Sequence, residues 1–107
     1  MTIKVLIKRK LPKNKEIHLL NLINQLRAMA TRFPGNVSEE IMWSVDNPDE
    51  YLVFSCWRSL DHWRNYRESK QRDEIQKKID ELSGTETVYE VYRYPEISVD
   101  DFSEPLM

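Results

Sequence analysis

The sequence predicts an α+β domain of ferredoxin-like order, βαββαβ, in which a four-stranded antiparallel sheet carries its helices on one face. Three observations predict it. Four segments rich in β-branched and aromatic residues read as strands, two stretches between them repeat apolar residues at the helical period, and a proline or glycine closes almost every one. The 107 residues, 40% hydrophobic and 32% charged, fit one compact domain too apolar to be disordered.

Ile3 to Lys10 is the first strand, with Ile3, Val5 and Ile7 on one face and Lys4, Leu6 and Lys8 on the other. Pro12 ends it, since proline cannot donate to a ladder. Leu19, Leu22, Ile23, Leu26, Ala30 and Phe33 then form one apolar stripe at helical spacing, closed by Pro34-Gly35. Val37 to Val45 is the second strand, with Ile41, Trp43 and Val45 pointing one way and Met42 and Ser44 the other. Asp46-Asn47-Pro48-Asp49 is a turn, and Tyr51 to Trp57 completes a hairpin as a third strand apolar on both faces. Ser59 caps a short helix in which Leu60, Trp63 and Arg67 share a face. A second helical piece, Lys70 to Leu82, presents Ile75, Ile79 and Leu82 and offers the ion pairs Asp73–Lys77 and Glu74–Lys78. Ser83-Gly84 stops it, and Thr87 to Tyr94 is the fourth strand. Residues 1–94 are thus the domain and residues 95–107 an acidic tail, either loose or clipped to another surface through Ile97, Val99, Phe102, Leu106 and Met107.

One face of such a sheet lacks helices. Tyr51, Val53, Trp57, Val88, Tyr92 and Tyr94 are expected there and are too apolar for water, which predicts a homodimer formed by packing two sheets through this open face.

Charge and composition exclude several functions. Residues 1–32 hold eight Lys/Arg against one acid, Glu16, but residues 33–57 hold five acids and no base, so a polyanion meets attraction and repulsion on one small domain. No nucleic-acid partner is expected: Val5 to Arg9 and Tyr51 to Trp57 lack the glycine-containing basic motif of an RNA-binding sheet. Neither a membrane span nor a leader segment is present in the sequence, so no membrane partner and a cytoplasmic location are expected. The lone Cys56 reads as an inert core thiol, and with His18 and His62 far apart no metal site is expected.

Four stretches carry a family resemblance: Ile3 to Lys10 before a Leu-rich helix, Phe33-Pro34-Gly35-Asn36-Val37, Asn47-Pro48-Asp49-Glu50-Tyr51, and Phe54-Ser55-Cys56-Trp57-Arg58-Ser59-Leu60-Asp61-His62-Trp63. Over residues 3–94 the chain resembles the antibiotic biosynthesis monooxygenase family of dimeric α+β barrels. That resemblance implies oxidation of small aromatic or quinol-type substrates by O2 with no bound cofactor; a non-catalytic small-molecule-binding or regulatory dimer is the alternative on the same fold. Its heme-degrading branch carries an Asn on the first strand, a Trp on the second helix and a later His as iron ligand. The matching places here hold Arg9, Tyr66 and Gln76, with no His after His62, which argues against heme degradation.

Cofactor-free oxygenation needs a base, donors for the resulting anion and a dry pocket. His62 is the candidate base, Tyr66 its catalytic partner as a hydrogen-bond donor, and Trp63, Trp43 and Arg9 are candidate substrate-binding residues, Arg9 as anchor for a phenolate. Each has a plainer alternative: His62 as a surface histidine, Trp63 as core, Arg9 as a partner of the acidic hairpin. Trp57 reads as core, and His18 has no partner in reach.

Overall fold

The computed structural model describes residues 1–95; the predicted acidic tail beyond Pro95 lies outside the described residues. Element order is β1 (Ile3–Lys10), α1 (Glu16–Ala30), β2 (Asn36–Trp43), β3 (Glu50–Trp57), α2 (Leu60–Arg67), α3 (Lys70–Ser83) and β4 (Val88–Arg93). The sheet is antiparallel with strand order β2-β3-β1-β4, so the ferredoxin-like order read from the sequence is the observed one. The second predicted helical region is two helices, each started by a serine: Ser59 Oγ accepts the His62 N–H and Ser69 Oγ accepts the Arg72 N–H.

Alternation on β1 orients the whole sheet. Ile3, Val5 and Ile7 are buried under the helices, and the register opposes them to Trp57, Ser55 and Val53 of β3. Tyr51, Val53 and Trp57 therefore face the helices, which corrects their expected place on the open face. A strand apolar on both sides carries no parity signal of its own, and pairing with β1 decides which set turns inward. The open face instead presents Lys4, Leu6 and Lys8, Leu52, Phe54 and Cys56, and Val88, Glu90 and Tyr92. Cys56 is buried there, beside Lys4 and Ser38 in a recess of about 240 Å³, rather than in the core under the helices.

Leu19, Leu22, Ile23, Leu26 and Ala30 fill the space between α1 and the sheet, as their spacing predicts. On α2 the buried pair is Trp63 and Tyr66, while Leu60 and Arg67 are not buried. The expected Leu60, Trp63, Arg67 face is thus rotated, because Trp57 and Tyr66 stack with centroids 5.1 Å apart and draw Tyr66 inward. Trp63 lies 6.1 Å from Trp57 and 6.0 Å from Tyr66 and Tyr89, and contacts of this kind contribute roughly 0.5–1.5 kcal/mol each beyond area burial. On α3 the inward residues are Arg72, Gln76 and Ile79, with Ile75 and Leu82 only partly covered. Asp73 pairs with Lys77 at 3.1 Å, whereas the expected Glu74–Lys78 pair does not form.

Candidate functional site

Inward-facing polar residues gather where α1, α2 and α3 cross the sheet. Strand parity brings Arg9 from β1, Glu39 from β2 and Tyr51 and Ser55 from β3 to this side; helical spacing brings Arg27, Tyr66, Arg72 and Gln76 down onto it. Between Arg9, Arg27, Glu39, Tyr66 and Arg72 lies a cavity of about 10 Å³, room for roughly one water. Ile7, Ile23, Leu26 and Val53 supply its apolar walls.

Glu39 is the acid of this cluster. Its Oε1 accepts hydrogen bonds from the Ser55 hydroxyl at 2.8 Å and from Asn36 Nδ2 at 3.3 Å, while Oε2 is buried without a partner. Burial pushes its carboxyl up to about 7, against the opposing pull of the Ser55 bond and the charges of Arg27 and Arg9. Burial likewise pushes the phenols of Tyr66 and Tyr51 up to about 12. Tyr66 stays protonated and donates to the Leu26 carbonyl at 2.9 Å.

Gln76 Oε1 collects the donors. Arg9 Nη2 reaches it at 2.9 Å, Arg72 Nη2 at 3.3 Å and the Tyr89 hydroxyl at 3.2 Å. Arg72 also donates to the Tyr89 hydroxyl and lies over the rings of Tyr66 and Trp63 at 5.6 and 5.9 Å. Yet Nε of Arg9, of Arg27 and of Arg72 are all buried and unpartnered. Two recesses reach this cluster from outside. One of about 340 Å³ between α3 and β4 shares Arg72 and Gln76 with it, and one of about 270 Å³ beyond the start of β4 shares Arg9 and adds Lys8 and Lys10.

The structure brings three of the five candidate residues together. Arg9 and Tyr66 line the cavity, and Trp63 stands behind them under Arg72. Arg9 makes no ion pair with the hairpin acids; it bonds to Gln76. His62 lies elsewhere: its Nδ1 is 2.7 Å from Ser59 Oγ and its ring packs onto Gly35, where an added Cβ would sit 2.2 Å from the imidazole Cγ. Trp43 is half exposed and rests against Tyr51 at 5.7 Å. Glu39, Arg72 and Arg27 are the residues that sequence reading missed. Glu39 shares the parity of Ile41 and Trp43, and Arg72, Gln76 and Ile79 stand at helical spacing, so a pattern was available for Glu39 and Arg72.

The three positions weighed against heme degradation also meet here, Arg9 and Gln76 in contact and Tyr66 across the cavity. Among the described residues no three His, Cys, Asp or Glu side chains converge as a metal site, and no helix is long and apolar enough to cross a membrane.

Comparison with known proteins places this geometry in context. A conserved protein from Methanosarcina mazei has the same fold at 20% identity, with a TM-score of 0.82 over 89% of this chain and 94% of that one. Rv0793 from Mycobacterium tuberculosis aligns at 16% identity and a TM-score of 0.80, covering 92% of this chain and 99% of that one. SnoaB, a cofactor-independent oxygenase from Streptomyces nogalater, aligns at 12% identity and 0.77, covering 90% and 95%. No curated protein matches the chain in sequence. The model of the antibiotic biosynthesis monooxygenase family matches residues 2–78. That match spans β1 through most of α3 and includes the cavity residues from Arg9 to Gln76, so the chain belongs to the antibiotic biosynthesis monooxygenase family.

Proposed function

We propose that the chain is a cofactor-independent monooxygenase of small electron-rich aromatics, working between sheet and helices with Glu39 as its base, where the one-water cavity must widen into the outer recesses to admit the substrate ring. The observation that carries this reading is the Glu39 carboxyl, whose Oε2 is buried and unpartnered at a cavity that Arg9, Arg27 and Arg72 also line, with burial pushing the group up to about 7. A base poised near neutral pH is half ionised in use and still basic enough to accept a proton. It removes a proton from an acidic methylene or phenol of the substrate, and the arginines stabilise the anion that results. Dioxygen then takes the electrons: one oxygen atom enters the substrate as a carbonyl and the other leaves as water with the two hydrogens the substrate loses, both from the methylene, or one from the phenol O–H and one from the ring carbon that is oxidised. No external reductant is consumed.

Trp63 and Tyr66 form the aromatic wall of this site, and Arg9 anchors the anion. His62 serves as the first-turn contact of α2, bound to its capping serine. The working molecule is a homodimer joined through the open sheet face, a reading supported by Met42, Val88 and Tyr92, each about half exposed on that face.

Oxygen uptake with anthrone, whose methylene is acidic and whose product is a quinone, tests the reaction. Glu39→Gln should lower the rate by about a hundredfold or more with the fold intact by circular dichroism, and His62→Ala should leave it unchanged. Equal rates for Glu39→Gln and the parent remove Glu39 from the chemistry. Binding of the aromatic without oxygen uptake leaves a binding dimer in place of an enzyme.

A further inference from the structure

The buried cluster is short of negative charge. Arg9 and Arg72 are each 4% exposed, and among the described residues neither has a carboxylate within ion-pair distance. Three acids line the outer recess: Asp80 takes hydrogen bonds from Gln76 and Thr87, Asp73 pairs with Lys77, and Glu86 comes within ion-pair distance of neither arginine. Glu39 is the one carboxyl lining the cavity, and it shares that cavity with three guanidinium groups. Charges taken out of water without an opposite partner are costly, and an oxygen atom surrounded by guanidinium and phenol donors is the environment of an anion. Here a neutral amide oxygen, Gln76 Oε1, occupies that place and accepts from Arg9, Arg72 and Tyr89 together.

We infer that Gln76 Oε1 holds the position of a substrate carboxylate, so that the ligand of this cleft is an aromatic carboxylic acid bound through Arg9 and Arg72. The inference rests on the reading of the cleft as a substrate site and adds the second functional group the substrate must carry. On binding, Gln76 swings toward the 340 Å³ recess that its side chain already lines, and the carboxylate takes over its three donors. The Nε–H groups of Arg9 and Arg72, unpartnered in the free chain, gain an acceptor.

Two measurements test this. In calorimetric titrations of the full chain, salicylate should bind at least about ten-fold more tightly than the isosteric salicylamide, and Arg72→Gln should erase the difference. Equal affinities overturn the carboxylate inference while leaving the cleft reading standing; failure of both ligands to bind the folded chain overturns both. The second measurement needs no ligand. Gln76→Glu, made together with Asp80→Asn so that the new carboxylate does not face an old one, supplies the anion from within. It should raise the melting temperature above that of Asp80→Asn alone and abolish the preference for salicylate. A lower melting temperature would show a cluster that needs no anion and would sink the inference.

Discussion

Glu39 is the residue whose protonation ties fold to chemistry. Its unfolded value is 4.5 and its folded value about 7, so between these limits the folded chain holds the extra proton. Stability contributed by this group is complete below 4.5 and is lost as pH rises through about 7, by roughly 3 kcal/mol in all. Urea unfolding near pH 5 and near pH 8 should therefore show a fall in stability that Glu39→Gln largely abolishes; identical pH dependence in both proteins would place the carboxyl in water. On the proposed mechanism the rate moves the opposite way, rising with pH as Glu39 ionises, so the site is most active where it is least stable. Charge counting hid this residue, because Glu39 was one of five acids between residues 33 and 57 and was set against the basic first strand. Its place beside Ile41 and Trp43 on the inward parity of β2 carried the information instead. Arg9 was legible as a candidate but not as a buried one, since arginine on a strand reads as solvated until the residues that cover it are known.

At the scale of elements, strands and helices were readable from period and punctuation, whereas their rotations were not. β1 showed its faces through alternation; β3, apolar at Tyr51 through Phe54, showed none, and only pairing with β1 turned Tyr51, Val53 and Trp57 inward. The turn from α1 to β2 is equally dependent on a neighbour. Gly35 has φ +86°, lies under the His62 ring and accepts the Arg58 N–H at 2.8 Å, so it fixes the start of β2 against the start of α2. Gly35→Ala should cost about 3 kcal/mol in chemical unfolding, through left-handed strain and collision with the imidazole. Adding His62→Gly, which unlike alanine also removes the His62 Cβ that lies 2.5 Å from the added methyl, should recover the collision part, leaving about 1–2 kcal/mol from the backbone beyond the cost of His62→Gly itself. Additive losses in the double variant would show that the two residues do not touch. Gly84, at φ +67° with open space around its Cα, lacks any such collision, so Gly84→Ala should cost only the backbone part.

For the whole molecule, helices cover one side of the sheet and leave Phe54, Val88 and Tyr92 on the other, with Lys8 and Glu90 paired at 2.8 Å among them. Tyr92→Asp should convert a dimer to a monomer in sedimentation equilibrium, since it places a charge in an apolar contact beside Glu90. A dimer that survives this change uses another surface. The order β2-β3-β1-β4 has a further effect, on how the protein is made. β1 is synthesised first but lies inside the sheet, where Ile3 pairs with both Trp57 and Arg93. While the ribosome is still adding the residues of β4, β1 keeps one hydrogen-bonding edge bare and the Tyr89 ring is missing from the aromatic cluster. Pairing across so long a stretch of chain is slow to form. Folding of this domain thus waits for β4, and until it emerges Lys4, Lys8 and Lys10 are charged residues that discourage other strands from pairing with β1.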